Sequence, residues 1–121
     1  IEAMTKAIRV GTEYVGNGSP ISNYIEFVPS SGVGLVRYEF DSENNKIIRS
    51  VTNEDSETVT NDVTPNTGEV FIDNLSFGID ISTGQPKVLI RMKGHSGDTE
   101  KLGSVPYFYL QSLVSQRLLA Q

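Results

Sequence analysis

The spacing of apolar residues changes once along this chain, near residue 20. Over residues 1 to 15, Ile1, Met4, Ile8, Gly11 and Val15 recur at intervals of three and four, and Glu2, Lys6, Arg9 and Glu13 recur on the opposite side. That period predicts a two-faced helix of about four turns. Glu2 and Lys6 add an i,i+4 pair in the favourable order. Gly16, Gly18 and Pro20 then predict a helix stop. Beyond them the period becomes two. Ile25 and Phe27 alternate with Tyr24 and Glu26, and Val36, Tyr38 and Phe40 alternate with Arg37, Glu39 and Asp41. Side chains of a strand project to alternate faces, so each segment predicts one apolar and one polar sheet face. Ser42 to Asn45 is a turn-forming cluster, and Ile47, Ile48 and Val51 complete a hairpin.

Residues 53 to 68 are polar and predict mostly loop, with Val59 and Val63 marking at most a short strand. A second hairpin follows. Leu75, Phe77, Ile79 and Ile81 alternate with Ser76, Gly78, Asp80 and Ser82. After the turn Thr83-Gly84-Gln85-Pro86, Val88, Ile90 and Met92 alternate with Lys87, Arg91 and Lys93. Residues 94 to 104 predict a glycine-rich loop. Tyr107 to Arg117 predicts a last strand, its inward set Phe108, Leu110, Ser112 and Val114. The expected fold is a single α+β domain over residues 1–121: a helix packed on an antiparallel sheet of about six strands.

Composition narrows the chemistry. The 121 residues suit one domain. A net charge of -5 with no strongly basic segment makes nucleic acid a poor partner. The absence of cysteine removes disulfides, thiolate nucleophiles and thiolate metal ligands. No run of about 18 apolar residues is present. The chain opens at Ile1, already inside the helical period, which suggests a segment upstream of it.

Each candidate site has a simpler structural reading beside it. His95, in Gly94-His95-Ser96-Gly97-Asp98, suggests a general base or a metal ligand with Asp98. One histidine without cysteine does not make a common zinc site, so an ordinary loop histidine is expected. Ser96 beside it suggests a triad, but no Gly-x-Ser-x-Gly elbow occurs. Asp41, Glu43 and Asn45 offer oxygens to calcium without the remaining pattern of an EF-hand, and a hydrated turn is the expectation. Glu54, Asp55, Glu57 and Asp62 form a denser acidic stretch. Gly16-Asn17-Gly18 follows a helix instead of preceding one, and Gly32-Val33-Gly34 is no dinucleotide fingerprint. Tyr24, Tyr107 and Tyr109 fall on the outward parity of their strands, as partner contacts or as cover for another layer. No cofactor is expected, and no catalytic residue.

Three segments carry a family resemblance. Val70-Phe71-Ile72-Asp73-Asn74-Leu75-Ser76-Phe77 and Gln85-Pro86-Lys87-Val88-Leu89-Ile90-Arg91-Met92 are similar to paired strands of minor pilins and J-type pseudopilins. Tyr107-Phe108-Tyr109-Leu110-Gln111-Ser112-Leu113-Val114-Ser115-Gln116-Arg117 resembles their closing strand. Residues 1 to 15 resemble the second half of the long pilin helix, with 21 to 117 as the β-rich head. The chain departs from the family in lacking the processing motif and the C-terminal disulfide. The resemblance implies a structural subunit of a type IV pilus, type II secretion or DNA-uptake filament. Its partners would be other pilin subunits, with inner-membrane anchoring before assembly and a final place at the cell surface or in the periplasm. Membrane contact would belong to a hydrophobic helix upstream of Ile1. Glu2, Lys6, Arg9 and Glu13 would face neighbouring subunits. Calcium use by some pseudopilins puts Asp55, Glu57 and Asp62 forward as ligands. The alternative is an extracellular β-sandwich adhesin that recognises carbohydrate or protein.

Overall fold

A computed structural model describes residues 2–16, 21–64, 70–82, 84–96 and 107–117. It corrects the expected fold class. Among the described residues the chain is mostly β, with eight strands in two antiparallel sheets and one short helix; it is not the α+β pilin arrangement with a long helix. The elements are α1 (Glu2–Val10), β1 (Thr12–Val15), β2 (Tyr24–Val28), β3 (Leu35–Asp41), β4 (Lys46–Thr52), β5 (Thr58–Asp62), β6 (Val70–Asp80), β7 (Lys87–Ser96) and β8 (Tyr107–Ser115). Strands β1 to β5 form one sheet in sequence order, and β6 to β8 form the other.

The helix expected over residues 1 to 15 ends at Val10, and packing is the reason. The Phe27 ring lies over Gly11, where any Cβ would sit 2.3 Å from it. Only glycine admits that approach. After Gly11 the chain extends, and Thr12–Val15 pairs with β2 through an irregular register around Glu13, whose φ is 57°. Nine residues make a helix that is marginal alone. Burial of Met4 and Ile8 holds it, at on the order of 2 kcal/mol each. Its C-terminal carbonyls, orphaned in any helix, are taken up by both sheets. The Tyr14 hydroxyl donates to the Ile8 carbonyl at 2.5 Å, the Arg117 amide to the Arg9 carbonyl at 2.8 Å, and the Gln116 side-chain amide to the Gly11 carbonyl at 3.0 Å.

One core serves both sheets. From the five-stranded sheet come Tyr14, Ile25, Phe27, Val36, Tyr38, Phe40 and Ile47; from the three-stranded sheet come Ile72, Leu75, Phe77, Val88, Ile90, Met92 and Val114. Tyr14 packs edge-on to Phe27 at 6.2 Å, and Phe27 stacks near Tyr38 at 6.3 Å, an aromatic row across β1, β2 and β3. The sheets also share a backbone bridge. Ser22 and Phe77 exchange amide-to-carbonyl bonds of 2.8 and 2.7 Å just before β2 begins.

One loop expectation is sharpened to a short strand and another is corrected. Part of the stretch 53 to 68 is β5, a strand exposed along its whole length and fixed by its ladder with β4. Gly94 to Ser96, expected as loop, belong to β7. Gly94 suits that strand because a Cβ there would lie 2.3 Å from the Phe108 ring. The acidic stretch's turn is built on Asn53, whose side-chain oxygen accepts from the Asp55 and Glu57 amides at 3.0 and 2.9 Å.

Candidate interaction face

The outward face of the three-stranded sheet collects the side chains with the most unused chemistry. Register sets its rows. Phe71, His95 and Tyr107 lie across one another, followed by Lys93 beside Tyr109, Arg91 beside Gln111, Leu89 beside Leu113, and Lys87 beside Ser115. The alternate residues, including Val88, Ile90 and Met92, point into the core. Tyr109 is 73% exposed, Leu113 64% and Tyr107 55%. Lys93 Nζ lies 4.9 Å from the Tyr107 ring centroid and 5.7 Å from that of Tyr109, within cation–π range. Leu110, on the inward parity, is exposed nonetheless because β8 is an edge strand.

A β-bulge organises one end of this face. The register between β6 and β7 shifts between Ile72 and Asn74, leaving Asp73 as the extra residue. Bulges re-aim side chains in this way. The Asp73 carboxylate oxygens lie 2.9 and 2.8 Å from His95 Nδ1. A carboxylate only accepts, so this contact places a proton on Nδ1 and fixes the ring. His95 stacks on Phe71 at 5.3 Å and meets the edge of Tyr107 at 6.0 Å. The expected loop histidine is therefore a strand histidine clamped by a carboxylate. Asp98, its expected partner, lies outside the described residues, as does the side chain of Ser96. Asp73 was missed by periodicity, although the signal existed: buried Ile72 and Leu75 are three apart, which a regular strand does not allow.

The outer face of the five-stranded sheet differs in chemistry. Arg37 Nη2 donates to Glu39 at 2.9 Å, Nη1 approaches Glu26 at 4.0 Å, and the guanidinium covers the Tyr24 ring at 3.8 Å. Lys46 pairs with Asp62 at 3.0 Å. Hydrogen bonds from Thr64, together with Lys46, hold the Asp62 carboxyl down at about 2. Hydroxyl pairs Ser50–Thr60 and Thr52–Thr58 complete the β4–β5 ladder at 3.2 and 3.0 Å.

The remaining candidate residues do not converge. Asp55 and Glu57 sit in the turn before β5 and Asp62 at its far end, a separation of roughly 17 Å for five extended residues. Among the described residues no group of three His, Asp or Glu side chains is placed to hold a metal ion. Asp41 accepts from the Glu43 amide at 3.1 Å and from the Asn44 side chain at 2.8 Å, shaping the β3–β4 turn. Glu2, Lys6 and Arg9 line the exposed side of α1, whereas Glu13 has left the helix for β1. Between α1 and the sheet lies a groove of ≈ 290 Å³ lined by Ala3, Met4, Ala7, Tyr38, Ile47, Arg49 and Val63. Comparison with known protein families, with curated proteins and with solved structures gave no match.

Proposed function

We propose that this domain is a non-catalytic building block of an extracellular filament, a subunit of the minor pilin or pseudopilin kind. One observation carries the reading. The closing strand β8, whose wording resembles that of minor pilins, leaves Tyr107, Tyr109, Leu110 and Leu113 exposed at a sheet edge. Aromatic and apolar side chains gathered on one strand suit contact with protein. The short helix α1, unlike the long helix of a pilin, is a minor part of the domain, and one side of it is charged and exposed. Its apolar stripe is covered by the domain's own core, and Glu2, Lys6 and Arg9 stay open to neighbours. No described helix is long and apolar enough to cross a membrane. The test is immunogold labelling of intact cells and of sheared surface filaments with antibody against this domain. Label along or at the tip of filaments is expected. Label confined to the cytosol, with none in the filament fraction, overturns the reading.

A second reading, an adhesin module for carbohydrate, is favoured by the Phe71, Tyr107 and Tyr109 rings on one face. It predicts glycan-array binding that Tyr109→Ala abolishes. A blank array removes it.

A further inference from the structure

We infer that the outer face of β6–β7–β8 receives the β4–β5 hairpin of a second copy of this chain. The inference rests on the filament-subunit reading and names the partner of its exposed face. Three features of the face fit three features of the hairpin.

The first is charge. Among the described residues neither Arg91 nor Lys93 belongs to an ion pair, although the whole chain carries a net charge of -5. Glu54, Asp55 and Glu57, in the turn of the β4–β5 hairpin, are likewise outside every described ion pair. Two unpaired cations on one surface and three unpaired carboxylates on another are complementary.

The second is apolar shape. Beside Arg91 the face holds a hollow of ≈ 280 Å³, lined by Ile21, Ser76, Gly78, Ile79, Asp80, Leu89 and Arg91. The hairpin carries Val59, which is 62% exposed and has the volume to enter such a hollow. Leu113, paired across from Leu89, extends the apolar surface next to it. The third is access. Every residue of β5 is exposed, so the hairpin can be covered by a partner without first being uncovered.

The face and the hairpin are different surfaces of one subunit. Their contact is therefore heterologous, and each copy offers one donor and one acceptor surface. Such contacts run head to tail and build open chains unless the rotation closes a ring.

The chain has no cysteine, which makes the test clean. Asp55→Cys and Lys93→Cys are introduced together into the full chain, which is then oxidised mildly and run on a non-reducing gel. A ladder of dimers, trimers and longer species is expected, while each single-cysteine variant stops at dimers. No ladder beyond the single-variant controls overturns the inference. Charge reversal provides an independent reading by sedimentation. Arg91→Glu/Lys93→Glu and Glu54→Lys/Asp55→Lys/Glu57→Lys should each weaken association at least about tenfold, and mixing the two variants should restore it. All these positions are exposed or half-exposed, so unchanged thermal melts are required of every variant. Single-sided loss without restoration on mixing means the two surfaces meet other partners, and the inference falls. Filament labelling without a ladder sinks this contact and leaves the subunit role standing. A ladder without filament labelling does the reverse.

Discussion

On the five-stranded sheet the outward charges find partners within the sheet: Arg37 with Glu39 and Glu26, Lys46 with Asp62. On the three-stranded sheet Arg91 and Lys93 have no such acid among the described residues, and Tyr107 and Tyr109 stand open beside them. Inside, the two sheets do the same thing, sending aromatic and branched side chains into one core. The difference teaches that stability and recognition are divided by face and not by sheet. The inward rows hold the fold, and among the described residues the outward face of the three-stranded sheet, unlike that of the five-stranded one, leaves its Arg91 and Lys93 cations outside any ion pair. The largest test of that division contrasts Phe77→Ala with Tyr109→Ala. Phe77 is fully buried at the junction of the sheets, so truncation should cost about 3–5 kcal/mol in urea unfolding. Tyr109→Ala should stay within about 0.5 kcal/mol of wild type. Comparable losses at both positions would show that the outer aromatics belong to the fold.

Next in size is a pair of glycines in the three-stranded sheet and its turn. A methyl at Gly94 would press into the Phe108 ring at 2.3 Å and the Phe71 carbonyl at 2.7 Å, whereas one at Gly84 meets nothing within 4 Å. Gly94→Ala should cost about 1–3 kcal/mol by overpacking. Gly84→Ala should leave the melting temperature nearly unchanged. An unaffected Gly94→Ala would mean that Phe108, half-buried at the sheet edge, swings aside freely.

The same residue explains part of what the sequence concealed. Gly94 reads as loop punctuation, yet it serves close packing within β7, and His95 follows it into the strand. Alternation revealed β2, β3, β6 and β7, because those strands bury one face and solvate the other. It did not reveal β5, where Thr58 to Asp62 bury neither face and only the ladder to β4 makes a strand. It overran the helix, because Gly11 and Val15 happen to continue a period that the Phe27 ring interrupts. Of the candidate site, Tyr107 and Tyr109 were legible from parity. Asp73 depends on a bulge, and its meeting with His95 joins residues 22 apart in the chain. Such contacts are set by register between strands, which local spacing does not encode.

A third contrast concerns Tyr14, the one tyrosine with a buried hydroxyl bond to the helix end. Tyr14→Phe deletes its donation to the Ile8 carbonyl and should cost about 1 kcal/mol. Burial pushes the Tyr14 hydroxyl from 10.0 up to about 12. Its folded value lies above its unfolded one, so its contribution is complete below pH 10 and is lost as the pH climbs from 10 toward 12. Denaturant unfolding followed over that window should show a steeper alkaline loss for wild type than for Tyr14→Phe. Equal slopes would assign the loss to other groups.

The smallest expected effect tests the self-contained character of the five-stranded sheet's outer face. Asp62 accepts from the Thr64 amide at 2.9 Å and pairs with Lys46, and its carboxyl falls from 3.8 to about 2. The folded value is depressed, so its contribution is present above pH 3.8 and fades as the pH falls toward 2. The side-chain bond from Thr64 is the largest cause, ahead of its amide and of Lys46. Thr64→Ala should therefore move the Asp62 carboxylate back toward the ordinary range in an NMR titration, further than Lys46→Ala does. Neither change should alter association through the three-stranded sheet, because Asp62 is already satisfied at home. If Lys46→Ala released Asp62 and strengthened binding to a second copy, the acidic face would be the active partner in the contact, and the division between a settled sheet and an open one would have to be redrawn.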